Sequence, residues 1–126
     1  MRKRVKRLNL NQSSRSHDKA LIKNLFTSLV MYGKVTTTKP RAQALRAYAC
    51  NKVFAFKRLG TSLESKRWIK AEVSTYKYSK RVTEKLKGFD EKFAVTTAMT
   101  KPRGGDNAPQ YEVSIINYDA TKTNEQ

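Results

Sequence analysis

The spacing of apolar residues predicts two helices in the first half of the chain, joined by a short extended segment. Six side chains recur with helical spacing and form one apolar stripe: Leu21, Ile22, Leu25, Phe26, Leu29 and Val30. Gly33 follows where a left-handed residue would end the helix. The β-branched run 35–38 favours an extended backbone. A second helix is expected from about Thr38, a candidate cap, to Leu59, with Pro40 near its first turn.

The helical pattern continues along the chain. The second helix has its own apolar stripe, formed by Leu45, Ala49, Val53 and Phe56. Gly60 is expected to end it. A third helix is expected through Leu63, Ile69 and Val73, with Lys66, Arg67 and Lys70 on its polar side. A fourth runs from about Ser79 to Lys87. Whether the last two are separate or form one bent helix stays open, because Tyr76–Tyr78 fits both.

After the helices the pattern changes to alternation. Apolar and polar residues alternate over 93–99 and again over 111–115, as they do in half-buried strands. The loop Lys101–Pro109 between them is rich in Pro and Gly and completes a β-hairpin. The run 35–38 is a candidate third strand. We therefore predict an α+β fold with about four helices packed on a small mixed sheet that includes the C-terminal β-hairpin.

A single domain is expected between two polar ends. The predicted parts are a basic arm at 1–13, an α+β RNA-binding domain at 14–119 and a polar tail at 120–126. Five of the first seven residues are Arg or Lys, so the arm is expected to be disordered when free and to become ordered on binding RNA. A solvated tail and a removable organellar transit peptide are the alternative interpretations.

The charge of the chain indicates a polyanionic partner. The sequence holds 27 Lys and Arg against 10 Asp and Glu, a formal net charge of +17. Residues 1–60 carry 15 of the basic side chains and one acid, whereas residues 61–126 carry 12 and nine. Such a field favours nucleic acid over an anionic membrane surface as the partner. No apolar run approaches the roughly 18–20 residues that span a bilayer.

Residue types that carry chemistry are too sparse to predict an enzyme. His17 is the only histidine and Cys50 the only cysteine, so neither a His-based metal site nor a disulfide framework is expected. Cys50 lies beside the apolar stripe and is expected to be a small buried thiol. The acids are scattered and no P-loop motif occurs. The sequence therefore predicts no catalytic site, no metal, no cofactor and no small-molecule substrate.

The cations suggest a surface for folded RNA, whose phosphates are closely spaced. On the first two helices, the cations at the edges of the apolar stripes are Lys19, Lys23, Arg41 and Arg46. In the hairpin loop, Lys101 and Arg103 accompany Gly104 and Gly105, whose backbone N–H groups can approach a phosphate. A simple hairpin turn is the alternative for this loop. Trp68 could stack on a base, but its place beside Ile69 favours the core.

Several short stretches also match a known family in order and spacing. The most specific is Gly105–Pro109, which reads Gly-Asp-Asn-Ala-Pro before the last strand and follows a matching Arg103. The others are the basic arm from Met1, Ser16-His17, Ala20-Leu21 with Asn24-Leu25, Thr36-Thr37 and the segment Arg41–Arg46. On these residues the chain resembles the bacterial-type ribosomal protein number seventeen of the large subunit over nearly its whole length. The resemblance implies an α+β fold and a structural role on the outer surface of the large subunit, near the rim of the polypeptide exit tunnel.

The resemblance further implies partners and contact residues. It implies binding to large-subunit ribosomal RNA and to neighbouring large-subunit ribosomal proteins, and by matching position it implies RNA contact by Arg2, Arg4, His17, Asn24, Arg46 and Arg103. Combined with the candidates from charge, the predicted RNA-binding residues are Arg2, Lys3, Arg4, Lys6, Arg7, Arg15, His17, Lys19, Lys23, Asn24, Arg41, Arg46, Lys101, Arg103, Gly104 and Gly105. A ribosome of the cytoplasm is expected, with an organellar ribosome as the alternative. A nucleoid protein on duplex DNA and a membrane-surface protein are the rival classes.

Overall fold

The structure, a computed structural model, describes residues 15–60, 63–73, 76–87 and 94–116. Within these ranges the helices are α1 (Arg15–Tyr32), α2 (Lys39–Leu59), α3 (Leu63–Glu72) and α4 (Tyr76–Lys87). The strands are β1 (Lys34–Thr38), β2 (Val95–Met99) and β3 (Gln110–Ile115). This arrangement confirms the α+β fold, with α3 and α4 as separate helices. The predicted arm at 1–13 and tail at 120–126 lie outside the described residues, and the division of the chain into these parts stays a prediction.

One side of α1 is buried from Ile22 to Val30, because the helix packs against α2 and also against α4. Its core residues are Ile22, Phe26, Leu29 and Val30, while Leu21 and Leu25 are only half-buried. The centre of the buried stripe is thus displaced from the Leu21–Leu25–Leu29 line. In α2 the predicted stripe of Leu45, Ala49, Val53 and Phe56 is buried throughout. The two helices meet where the rings of Phe26 and Tyr48 lie edge to face, with centroids 5.6 Å apart.

Glycines end both of these helices, as predicted. Gly33 has a φ of 84°, and its N–H donates a hydrogen bond to the Leu29 carbonyl at 2.8 Å. Gly60 follows α2 with a φ of 69°. The start of α2 differs from the prediction. Thr38 occupies the N-cap position with an extended backbone and is also the last residue of β1, but its side chain makes no capping hydrogen bond.

The three strands form one sheet in the order β1-β3-β2. Both pairings are antiparallel, so the sheet is antiparallel throughout rather than mixed. Val113 at its centre is fully buried between Val35 of β1 and Thr97 of β2. Helix α2 packs against all three strands and covers this face. On the other face the hydroxyls of Thr96 and Ser114 share a hydrogen bond of 2.9 Å.

A cluster of polar and aromatic side chains holds helix α3 against α2. The Tyr48 hydroxyl donates to Glu72 Oε2 at 2.6 Å, and Lys52 Nζ lies 3.2 Å from Glu72 Oε1. The same ammonium lies over the rings of Tyr48 and Trp68, 5.2 and 5.6 Å from their centroids. Burial raises the pKa of Tyr48 well above its usual range, and the hydrogen bond to Glu72 adds to the effect. Trp68 packs against the core, as predicted.

Three apolar or small side chains are less buried than their patterns predicted. Leu63 is 63% exposed, because α3 buries the face of Ser65 and Ile69, and Leu63 lies about half a turn from Ser65. Met99 is 65% exposed, since it is the last residue of the edge strand β2, beside the loop. Cys50 is half-buried against the core rather than fully buried.

Candidate nucleic-acid interface

Three of the predicted RNA-binding residues lie together in a groove beside α1. The groove, here called the α1 groove, is lined by Ser16, Lys19, Ala20, Lys23 and Asn24 of α1 and by Val73 after α3. Lys19 and Lys23 are four residues apart and so share one side of the helix, and Asn24 borders the same groove one residue after Lys23. Lys19 and Asn24 are exposed, and the Asn24 amide can both donate and accept hydrogen bonds. His17 lies in the first turn of α1 and is also exposed.

Lys23 has a second role within the fold. Its Nζ donates a hydrogen bond to the carbonyl of Ala71 at 2.8 Å, near the end of α3. A cation is favourable there because the last carbonyls of a helix carry partial negative charge and lack helical partners. Lys23 therefore ties α1 to α3 while keeping positive charge in the α1 groove.

The loop between β2 and β3 has a shape fixed by its own hydrogen bonds. The Arg103 N–H donates to the Ala108 carbonyl and the Asn107 N–H to the Arg103 carbonyl, both at 2.9 Å. Asn107 has a φ of 56°, which Asn tolerates better than most residues. Gly104 and Gly105 are exposed, and apart from the adjoining residues no atom lies within 4 Å of where a Cβ on either would stand. A phosphate could therefore approach the backbone of these two glycines closely.

Asp106 forms an ion pair with Arg103, the one arginine of this loop. The Arg103 guanidinium donates to both carboxylate oxygens, from Nε to Oδ1 at 2.9 Å and from Nη2 to Oδ2 at 2.5 Å. Oδ1 also accepts the Ala108 N–H at 3.2 Å, closing an Asx turn. The bond from Arg103, followed by the one from Ala108, holds the pKa of the Asp106 carboxyl well below its usual range. The carboxylate is thus ionised at neutral pH and offsets one of the two cations at the loop, Lys101 being the other.

The remaining predicted residues are more dispersed. Arg15 begins α1. Arg41 is half-buried and Arg46 is exposed, and five residues on a helix separate their directions by about 140°. Neither is among the residues that line the α1 groove. Arg2, Lys3, Arg4, Lys6 and Arg7 lie outside the described residues. The structure therefore groups Lys19, Lys23 and Asn24 in the α1 groove, and it keeps Lys101, Arg103, Gly104 and Gly105 together in the hairpin loop. It places neither Arg41 nor Arg46 in the lining of the α1 groove.

Among the described residues, no group of three or more His, Cys, Asp or Glu side chains could hold a metal ion. Within the same ranges no helix is long and apolar enough to cross a membrane. These two findings concern residues 15–60, 63–73, 76–87 and 94–116 only.

Two features of the surface were not among the predicted site residues. One is the Asp106 carboxylate, although its spacing of three residues from Arg103 across two glycines is a signal for a local ion pair. The other is a second basic groove between α3 and α4. The net charge of residues 61–126 does not indicate this groove, because most acids of that half lie outside these two helices.

A comparison with protein-family models identifies one match that covers most of the fold. Residues 21–116 match the family described as ribosomal protein L17. The matched range is more than three quarters of the chain, from the first buried turn of α1 to the end of β3. It includes the α1 groove residues Lys23 and Asn24, Arg41 and Arg46 of α2, and the whole hairpin loop.

Proposed function

Because the chain belongs to the ribosomal protein L17 family and is thus a structural constituent of the large ribosomal subunit, we propose that it binds and stabilises folded ribosomal RNA near the polypeptide exit tunnel. The role is structural rather than enzymatic. Large-subunit ribosomal RNA and neighbouring ribosomal proteins are its partners, in a ribosome of the cytoplasm or of an organelle.

The observation that carries this proposal is the α1 groove with its two cations and one amide. Lys19 and Lys23 place positive charge in a concave surface, where low-dielectric walls strengthen attraction for phosphate. Asn24 beside them can form hydrogen bonds with a ribose hydroxyl or a base edge. A cation alone attracts phosphate but does not distinguish these groups. Such a surface suits the bent, closely spaced phosphates of a folded RNA better than the regular backbone of a duplex.

The hairpin loop provides a second contact of different chemistry. Lys101 is a mobile point charge, whereas Arg103 is held by Asp106 and offers its remaining N–H groups in a fixed direction. The open backbone of Gly104 and Gly105 leaves room for a phosphate between them. Arg46 on α2 and the five cations of the arm add contacts whose positions the RNA would set on binding.

The test of this function is sedimentation of a tagged full-length chain from cell lysate on a sucrose gradient, at low and at moderate salt. We expect the chain to migrate with the large subunit and to stay there at moderate salt, because many phosphate contacts act together. A chain that stays at the top of the gradient, or that sediments with DNA and is released by nuclease specific for DNA, would contradict the proposal.

Two substitutions in the hairpin loop are expected to change the affinity for RNA in opposite directions. Arg103→Gln is expected to lower the affinity for purified large-subunit ribosomal RNA roughly threefold to tenfold near 0.1 M salt, since one phosphate contact is lost. Asp106→Asn is expected to raise the affinity severalfold at low salt, because it removes a carboxylate and frees the guanidinium. Both effects should fade at high salt.

Glu112→Gln is the matched control for the second variant, because it removes one carboxylate from the same hairpin on β3, away from the loop. Equal gains from Asp106→Asn and Glu112→Gln would mean that only the overall charge matters. No change in either loop variant would remove the loop from the interface.

A further inference from the structure

The outer surface of α3 and α4 forms a groove of about 450 Å³ whose charged residues the predicted site does not include. This α3–α4 groove is lined by Leu63, Lys66, Arg67, Lys70, Ser79, Lys80, Thr83, Glu84 and Lys87. Its lining contains five cations and one carboxylate. The second half of the chain is close to neutral as a whole, so this concentration is local.

The helical spacing of these residues explains why they converge. On α3, residues 63, 66, 67 and 70 follow the i, i+3, i+4, i+7 rule, and on α4 residues 80, 83, 84 and 87 repeat it. The opposite face of each helix is buried, through Ile69 on α3 and through Val82 and Leu86 on α4. Core packing therefore turns two polar stripes towards each other and leaves them open to solvent.

We infer that the α3–α4 groove is a second RNA-binding surface, which holds the phosphates of an RNA strand between its two walls. Lys66 and Lys70 are one helical turn apart, about 5–6 Å along the axis, which is the scale on which phosphates recur along a strand. Arg67 and Lys80 supply charge from opposite walls. This inference rests on the proposed function, since it names a further surface for the same partner.

The composition of the groove favours RNA over an acidic protein segment. The centre of a protein interface is usually apolar and depleted in lysine. Here the one apolar residue of the lining is Leu63, at the first residue of α3, and the other lining residues are charged or carry a hydroxyl. Lys66, Arg67 and Lys80 are all exposed, as phosphate contacts require.

The test compares two double variants of the full chain in binding to purified, protein-free large-subunit ribosomal RNA across a salt series. Arg67→Gln with Lys80→Gln removes one Arg and one Lys from the groove. Arg81→Gln with Lys77→Gln is the matched control, because both are exposed on α4 and neither lines the groove. We expect the groove variant to bind roughly tenfold more weakly near 0.1 M salt, with the salt slope reduced by roughly 1.4–1.8, or 0.7–0.9 for each lost phosphate contact. The control should change less than about threefold.

A third variant is expected to change the affinity for RNA in the opposite direction. Glu84→Gln removes the carboxylate of the groove and is expected to raise the affinity for RNA severalfold at low salt. Circular dichroism and thermal melting of each variant show whether it is folded, and only folded variants are compared. Binding of a poly-glutamate peptide is measured in parallel.

Each alternative outcome is distinct. Equal losses in the groove and control variants would overturn the inference in favour of diffuse charge. Unchanged RNA binding with loss of poly-glutamate binding would overturn it in favour of an acidic protein partner. Failure of the unmodified chain to bind the RNA would instead contradict the proposed function, whereas tight binding that the groove variant retains contradicts this inference alone.

Discussion

Replacing Phe26 by alanine is expected to lower the free energy of unfolding by about 3–5 kcal/mol, the usual cost of removing a fully buried aromatic side chain. Phe26 has no exposed surface and lies between α1 and α2, edge to face with Tyr48. Its loss leaves a cavity and removes the aromatic pair. Chemical denaturation monitored by circular dichroism measures the change, and for a domain of this size the midpoint of melting should fall by about 10–20 °C.

Phe54→Ala is the matched control, because it makes the same substitution at a side chain that is 42% exposed on α2. We expect it to cost less than about 1 kcal/mol. A similar loss in both variants would mean that burial in the folded chain does not decide the outcome, since alanine favours a helix more than phenylalanine does at either position. A loss below about 1 kcal/mol for Phe26→Ala would contradict the packing of α1 on α2.

The helices could be predicted because their signals are local. Pro40 at the start of α2 and Gly33 and Gly60 after α1 and α2 mark boundaries through the backbone of single residues. The stripe from Leu45 to Phe56 likewise follows from helical periodicity alone. Which part of a stripe is most buried depends on neighbours that are distant in sequence. The core of α1 centres on Phe26 because α4 also packs on it, and no local pattern contains that information.

The sheet shows the same limit. The hairpin of β2 and β3 follows from alternation around a turn, but the position of β1 beside β3 is a long-range contact. Its antiparallel direction is seen in Lys34 pairing with Ser114 and Thr38 with Gln110, residues that are separated in the chain by three helices and β2. The patterns that predicted the strands do not specify these pairings.

Candidate cations were easier to identify than their environments. Lys19, Lys23 and Asn24 share a groove, as helical spacing allows, but the bond from Lys23 to Ala71 joins residues 48 apart. The α3–α4 groove needed the packing of two helices before its charge became visible. The polar contacts of Tyr48 and Lys52 with Glu72 hold α3 to α2 and so help to fix the position of one wall of that groove.

Neutralising the arm is expected to have the largest effect on RNA binding. The variant replaces Arg2, Lys3, Arg4, Lys6 and Arg7 by glutamine and keeps the length of the arm. Because these five cations have no acid near them in sequence, each can release a counterion from the RNA on binding. The salt slope should fall by roughly 3.5–4.5, and the affinity near 0.1 M salt should fall on the order of 100-fold or more. Titration of purified large-subunit ribosomal RNA across a salt series measures both quantities.

Deletion of residues 8–13 is the control for this variant, since it shortens the arm without removing any charge. We expect it to cost less than tenfold in affinity, and we expect neither variant to change the melting midpoint, because the arm is predicted to lie outside the core. A clear fall in the melting midpoint would mean that the arm packs on the domain. Unchanged RNA affinity in the glutamine variant would favour a solvated tail.

A removable transit peptide makes a different prediction again. The chain isolated from ribosomes would then begin after the arm, which N-terminal sequencing detects directly.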